Sequence, residues 1–263
     1  MAIKILLDPG HFHGVNRMPN GYSEGTQMWR LYTFLRPMLE QYGFVVGTTR
    51  TSTYDYPGKP GDDNITGRGR MAKGYDVMLS LHTNACNTES VNRPVVIYPI
   101  NGKCKDLADK LGASLQSCMG LQKYQIYSKQ GSNGDYYGVI RGASSVGVPA
   151  LIIEHTFHTN NKMAAWLMSD ANLEKVAQCV ADTVAAYYGY KRKDDIDMTK
   201  DEVVKLIDER IKIALRGDGT KPSGWAEKEL ESAKAHGITD GSRPQGYATR
   251  QEAAIMVERA LKK

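Results

Sequence analysis

The chain has 263 residues, of which 41% are hydrophobic and 24% are charged, the composition of an ordinary globular protein. Its length predicts one main domain with a small appendage. The net charge of +5 is spread along the chain without a polybasic run, and no apolar segment is long enough to span a bilayer. We therefore expect neither nucleic acid nor a membrane as a partner.

Apolar runs that read as strands alternate with helical periodicity over residues 1–190. The predicted elements, in chain order, are a strand at 3–7, a helix at 24–42, a strand at 44–49, a loop at 51–69, a strand at 77–82, a strand near an edge of the sheet at 95–100, a helix at 103–119, a loop-rich stretch at 131–147 with a short strand near 139, a strand at 149–154, and helices at 161–168 and 172–188. This alternation predicts an α/β fold, a mostly parallel twisted sheet flanked by helices.

The composition changes after residue 190. Residues 191–197 are charged, lack apolar periodicity and are predicted to be a linker. Residues 198–263 contain three short helical patterns, near 199–215, 225–235 and 249–261, which predict a small all-helical module. So short a chain buries little core by itself, so we expect it to pack on a partner or on an identical copy.

Four polar residues stand at the ends of apolar strands or at the start of a helix: His11, Glu24, His82 and Glu154. Active sites of open α/β sheets lie outside the carboxyl ends of the strands, so these side chains are predicted to converge. Two histidines and one carboxylate are typical of a three-ligand zinc site with an open position. The second carboxylate would then act as a general base.

The two carboxylates, Glu24 and Glu154, also have purely structural interpretations. Glu24 fits a helix N-terminus, where the helix dipole favours a carboxylate, and Glu154 could form a salt bridge with Arg141. His155 and His158 stand beside Glu154 and are predicted to support the site or face substrate, because strand alternation points His155 away from Glu154.

Four segments together resemble the motifs of the zinc-dependent N-acetylmuramoyl-L-alanine amidases of the third amidase class, over roughly residues 3–188. They are Asp8-Pro9-Gly10-His11, Glu24-Gly25, Ser80-Leu81-His82-Thr83-Asn84-Ala85 and Glu154-His155-Thr156-Phe157-His158-Thr159-Asn160. The resemblance implies that His11, Glu24 and His82 bind Zn²⁺ and that Glu154 is catalytic. It also implies peptidoglycan as the substrate, cut between N-acetylmuramic acid and L-alanine.

The sequence departs from the family pattern at two places. Phe12-His13 stands where the family usually has a glycine pair, and Thr156 stands where a glycine usually follows the catalytic glutamate. These changes leave the four implied roles intact and bear on the shape of the substrate cleft.

The tail is similar to one copy of an S-layer-homology repeat. The similarity rests on Trp225-Ala226, Gly237-Ile238-Thr239-Asp240-Gly241 and Ala248-Thr249-Arg250-Gln251-Glu252-Ala253. It implies a wall-polymer binder, and the alternative is a helical element that forms a homodimer.

The opening residues lack the architecture of a signal peptide, which predicts synthesis in a host cytoplasm without an export address. Together with a tail that resembles a wall binder, this predicts a phage or prophage endolysin that acts at the cell wall after release.

Two other functions compete with the amidase. Zinc carboxypeptidases also use a His, Glu, His ligand set, but they usually place the first histidine and the glutamate close together, whereas His11 and Glu24 are well separated. A non-catalytic wall-binding protein would have no need to keep all four polar positions.

Overall fold

The computed structural model describes residues 2–54, 65–192, 200–216, 221–224, 226–242, 244 and 248–262. The chain forms two compact units, Met1–Asp195, here called the sheet unit, and Ile196–Lys263, here called the tail unit. Residues 193–197 of the predicted linker lie outside the described residues, as does Trp225 of the tail motif.

The sheet unit is built on one sheet of six strands. The described strands are β1 (Lys4–Pro9), β2 (Val45–Thr48), β3 (Val77–Asn84), β4 (Val95–Ile97), β5 (Gln125–Tyr127), β6 (Gln130–Gly131), β7 (Gly134–Asp135) and β8 (Ala150–Phe157). The order in the large sheet is β2-β1-β3-β8-β4-β5, and β6 pairs with β7 separately. Every neighbouring pair in the large sheet is parallel except β4 with β8. The predicted α/β fold with a mostly parallel sheet is confirmed.

Helices cover both faces of this sheet. They are α1 (Glu24–Tyr42), α2 (Ile65–Arg70), α3 (Lys105–Met119), α4 (Gly138–Ser145), α5 (Asn161–Leu167) and α6 (Asp170–Tyr188). Successive strand residues point to opposite faces. Leu79 and Leu81 accordingly join the core with α1, α3 and α6, while Met78 packs in a second core with α4.

Two helices lie where the sequence predicted loops. Residues Ile65–Arg70 and Gly138–Ser145 are helical, so the loop prediction is wrong at residues 65–69 and the predicted short strand near Val139 is wrong. Residues 55–64 of the predicted loop lie outside the described residues. Glycine lowers helix propensity, which is why the pattern indicated loops. In the fold these glycines let the two helices touch. A Cβ at Gly142 would lie 2.0 Å from a backbone oxygen of α2, and one at Gly69 would lie 2.1 Å from a backbone oxygen of α4.

The strand predicted at 95–100 is expected near an edge of the sheet, and it lies one position from that edge. Its shorter counterpart β4 pairs antiparallel with β8 on one side and parallel with β5 on the other. The edge strand on this side of the sheet is β5, which sequence reasoning missed because three residues are too few to show an alternating pattern.

The described residues of the tail unit form three helices, as predicted: α7 (Lys200–Arg216), α8 (Glu227–Ala235) and α9 (Arg250–Leu261). Thr249 begins α9 with a capping box, in which its side chain accepts from the Glu252 backbone while the Glu252 side chain accepts from the Thr249 backbone. No helix among the described residues of either unit combines the length and apolarity needed to cross a membrane.

Candidate metal centre and general base

Three adjacent parallel strands bring the predicted site residues together. His11 follows the end of β1, while His82 and Glu154 lie in the carboxyl-terminal halves of β3 and β8, where they are register partners. Glu24 is the first residue of α1 and is almost completely buried. The carboxyl ends of parallel strands meet at one edge of a sheet, which explains why residues so far apart in sequence converge.

His11, Glu24 and His82 form a cluster in which one ligand atom from each residue lies within 4.8 Å of the others. The Nε2 of His11 lies 3.3 Å from Glu24 Oε2, and the Nδ1 of His82 lies 3.0 Å from Glu24 Oε1. The two imidazole rings are nearly perpendicular, with centroids 4.9 Å apart. The cluster therefore presents two imidazoles and one carboxylate to a common point.

The turn that follows β1 leaves no room for a side chain at Gly10. A Cβ there would lie 2.3 Å from Cε1 of His82, closer than real side-chain contacts come. The next residue, His11, takes a left-handed backbone conformation with a φ of 59°. Such a conformation is uncommon outside glycine and is typical of functional turns.

Glu24 is held as a carboxylate by the groups around it. Burial alone would raise its pKa, but hydrogen bonds and charges from His11 and His82 outweigh burial and lower the pKa below its ordinary value. Its Oε2 also accepts a hydrogen bond of 2.6 Å from Asn16 Nδ2, and its Oε1 accepts one of 2.9 Å from the Thr83 backbone. An ionised carboxylate is the form in which a metal ligand acts.

Two buried arginines hold the backbone that carries these ligands. Arg50 is fully buried and donates to the carbonyl oxygens of Gly10 and Gly25, at 3.5 and 3.2 Å. These glycines adjoin His11 and Glu24, so one guanidinium ties together the segments of two candidate ligands. Arg68 pairs with the buried Asp8 carboxylate at the end of β1.

Glu154 differs from Glu24 in its surroundings. Its Oε2 is buried and has no hydrogen-bond partner among the described residues. Burial, with a further contribution from the charge of Glu24, raises the pKa of Glu154 well above its ordinary value. The alternative salt bridge with Arg141 is not formed, since Arg141 instead donates to the carbonyl oxygens of Asp135 and Tyr136 at 2.8 and 3.1 Å. A partly exposed carboxyl with a raised pKa and one buried, unused oxygen is suited to exchanging protons with a substrate.

The remaining histidines of the sheet unit surround this cluster. His155 is fully buried and its Nδ1 lies 2.9 Å from the His82 carbonyl oxygen, while burial lowers its pKa to about 4. The Nδ1 of His158 lies 4.0 Å from Glu24 Oε2. His13 lies farther out, with its Nδ1 3.1 Å from Thr26 Oγ1.

Sequence reasoning gave no role to several residues that the structure places at the site. Asn16, Arg50 and Thr83 all contact the candidate ligands or their backbone. Asn16 has a φ of 52°, and asparagine is among the few residues that adopt this conformation readily. That preference was the only local signal, because the contacts of Arg50 and Thr83 depend on the folded arrangement.

The sequence matches the N-acetylmuramoyl-L-alanine amidase family over residues 5–186. This match covers most of the chain, and the protein belongs to that family. No curated protein sequence matched the chain at a significant level.

Solved structures, among them two N-acetylmuramoyl-L-alanine amidases, are similar in fold to this chain. The catalytic domain of CwlV, an N-acetylmuramoyl-L-alanine amidase from Bacillus (Paenibacillus) polymyxa var. colistinus, is 20% identical with a TM-score of 0.59, covering 72% of this chain and 99% of its own. An N-acetylmuramoyl-L-alanine amidase from Clostridium difficile 630 is 19% identical with a TM-score of 0.59, covering 72% and 97%. Cwp6 from Clostridium difficile is 18% identical with a TM-score of 0.60, and the match covers 71% of this chain but only 29% of Cwp6.

Proposed function

We propose that this protein is a zinc-dependent N-acetylmuramoyl-L-alanine amidase that hydrolyses the amide between N-acetylmuramic acid and the L-alanine of the peptidoglycan stem peptide. His11, Glu24 and His82 are the metal ligands in this proposal and Glu154 is the catalytic residue. The observation that carries it is the convergence of the three ligand atoms within 4.8 Å at one edge of the sheet.

The donor set fits zinc. Two imidazole nitrogens and one carboxylate oxygen are ligands that zinc accepts, and three protein ligands leave a fourth position open, as in catalytic zinc sites. The missing Cβ of Gly10 supports the same assignment, because it lets the backbone approach the His82 ring closely. A zinc ion held there would polarise the scissile carbonyl and lower the pKa of a bound water.

Glu154 moves the protons in this proposal. Its buried Oε2 has no partner among the described residues, so it is available to the attacking water. Oε2 would accept the proton of that water and then donate it to the nitrogen of the leaving L-alanine. The raised pKa of Glu154 favours holding the proton between these two events.

Metal analysis combined with peptidoglycan digestion tests the proposal. Purified protein is expected to contain one zinc ion per chain and to release new amino termini from peptidoglycan, and a chelator should abolish the release. Protein that digests peptidoglycan equally well after complete removal of zinc would contradict the metal assignment.

The tail unit has two features that favour a role in retention or assembly. A groove of about 420 Å³ is lined in part by Ile238, Thr239 and Asp240 of the segment that resembles an S-layer-homology repeat. This groove supports binding of a wall polymer. Apolar side chains of α7 are exposed, and several are about half accessible. They are Val203, Val204, Leu206, Ile207 and Ile211.

Val204, Ile207 and Ile211 follow the three-and-four spacing of a coiled-coil seam, which supports pairing with a second copy. Sedimentation with cell walls and the mass of the protein in solution distinguish the two roles. A wall binder sediments with walls as a monomer, and an assembly element makes the protein a dimer.

An enzyme that cuts peptidoglycan and also carries a unit for retention at the wall is suited to lysis from a phage or prophage. In this part of the proposal, the protein acts at the cell wall of its host. When the protein is given access to the wall of host cells, we expect the wild type to lyse them. Cells that receive the Glu154→Gln protein should survive. Equal lysis by both proteins would contradict a lytic role for the amidase.

A further inference from the structure

Thr83 lies in an irregular part of the sheet beside the candidate ligand His82. His82 is the register partner of Glu154 and Asn84 is the partner of Phe157, so the register shifts between them. Two residues of β8 therefore lie opposite Thr83 alone. Such a bulge disrupts the regular ladder locally, so strand pairing alone does not fix the orientation of the Thr83 peptide.

That orientation matters because Thr83 contacts a second candidate ligand. Its backbone N–H donates a 2.9 Å hydrogen bond to Glu24 Oε1, the oxygen that also lies 3.0 Å from His82 Nδ1. A rotated Thr83 peptide would lose the bond to Glu24 and would shift His82, to which it is covalently joined.

Two side chains hold Thr83 in place. The Tyr22 hydroxyl lies 2.7 Å from Thr83 Oγ1. The Nδ1 of His158 lies 3.1 Å from Thr83 Oγ1 and 3.2 Å from the Thr83 carbonyl oxygen. Since a carbonyl oxygen only accepts, His158 carries a proton on Nδ1 and donates it to Thr83.

His158 is itself fixed by its neighbours. Its backbone N–H donates a 2.8 Å bond to the Asn84 carbonyl oxygen, and its ring stacks on Tyr22 with centroids 5.7 Å apart. Tyr22, Thr83 and His158 are exposed by 0%, 3% and 6%. Bonds in such a dry environment are costly to leave unmade, which makes the arrangement rigid.

We propose that Tyr22, Thr83 and His158, here called the Thr83 clamp, position the metal ligands Glu24 and His82. His158 acts through Thr83 and does not bind the metal, because its Nδ1 is engaged with Thr83 and it is not a member of the ligand cluster formed by His11, Glu24 and His82. Groups that orient metal ligands in this way contribute about 10–100-fold to metal affinity. This inference rests on the proposed function, since it requires that the cluster bind zinc.

The test compares zinc affinity among variants of the full chain by competition with a chelator. Thr83→Val removes Oγ1 but keeps the backbone N–H that bonds Glu24. His158→Leu removes the Nδ1 donor, whereas His158→Asn places an amide N–H near its position. Thr183→Val is the matched control, because Thr183 Oγ1 donates to the Cys179 carbonyl oxygen within α6 and has no contact with the cluster.

We expect Thr83→Val and His158→Leu each to raise the dissociation constant for zinc about 10–100-fold. The His158→Asn variant should recover most of this affinity, and the Thr183→Val variant should bind zinc like the wild type. The thermal unfolding of the zinc-free proteins is measured alongside, because a general loss of packing would lower stability without recovery of zinc affinity by asparagine.

Unchanged zinc affinity in both Thr83→Val and His158→Leu would overturn the clamp. Complete loss of zinc in His158→Leu together with normal affinity in Thr83→Val would also overturn it, because His158 would then be a ligand. If His158→Leu does not fold, unchanged zinc affinity in both Thr83→Val and Tyr22→Phe would overturn the clamp. A wild-type protein without zinc affinity would instead contradict the proposed function.

Discussion

The most informative single substitution is Glu154→Gln. Glutamine keeps the size of the side chain but cannot accept a proton from water at neutral pH. Glu154 Oε2 has no other partner among the described residues, so the substitution breaks no hydrogen bond of the fold. We therefore expect the variant to retain zinc and to lose hydrolytic activity.

The expected loss is about two to four orders of magnitude in kcat, the usual contribution of general acid–base catalysis. At about 1.36 kcal/mol per tenfold change in rate, this corresponds to about 2.7–5.4 kcal/mol of transition-state stabilisation. Because the proton is transferred in the transition state, the loss should appear in kcat and leave substrate binding nearly unchanged.

The same substitution changes how stability depends on pH. Burial raises the pKa of Glu154 in the folded protein above its unfolded value of about 4.3. The folded state then holds the proton more tightly, so this carboxyl costs stability as the pH rises above about 4. Glutamine has no such cost. In zinc-free protein, the stability of the wild type should therefore fall relative to that of Glu154→Gln as the pH is raised from 4 to 8.

Both effects are measured against Glu174→Gln, which neutralises an exposed carboxylate of α6 in the same unit. The assays are zinc content, kcat on soluble muropeptides, and urea unfolding at several pH values in the presence of chelator. A Glu154→Gln protein that kept more than a tenth of the wild-type kcat would refute the general-base assignment. Loss of zinc in that variant would instead make Glu154 a ligand and place Glu24 in question.

Three further changes test other parts of the account. His82→Ala should abolish both zinc content and activity, and a variant that still held one zinc per chain would rule out His82 as a ligand. Gly10→Ala would place a Cβ 2.3 Å from His82 Cε1, about 1 Å inside ordinary contact, and a displacement of that size should lower activity about 100-fold. Activity within twofold of the wild type would show that the turn can relax. A protein truncated after Arg192 should fold, bind zinc and cleave soluble muropeptides nearly normally but act poorly on intact walls, because an attached binder raises the local enzyme concentration. Failure of the folded, zinc-loaded truncated protein on soluble substrate would show that the tail takes part in catalysis.

Much of the fold could be predicted because the main strands and helices of the sheet unit have clear apolar patterns. The predictions for α1, β3 and α6 differ from the structure by no more than two residues at either end. Such segments carry their own periodicity, so the sequence alone indicates them. The polar residues at their ends could then be placed at one edge of the sheet.

The errors arose where tertiary contact decides local structure. The glycines of α2 and α4 lower helix propensity, yet they allow the two helices to pack together. The contacts of Arg50 and Thr83 with the candidate ligands join segments that are distant in sequence. No local pattern indicates such contacts, so their roles could only be found in the folded chain.

Mass analysis of the products of digested peptidoglycan tests the central claim most directly, because it identifies the bond that is cut. The account predicts stem peptides with a new amino-terminal L-alanine, together with glycan strands whose muramic acid keeps its lactyl carboxylate. Both products should disappear with Glu154→Gln. Release of single amino acids from the carboxyl ends of the stem peptides, with the muramoyl amide intact, would contradict the account and indicate a carboxypeptidase.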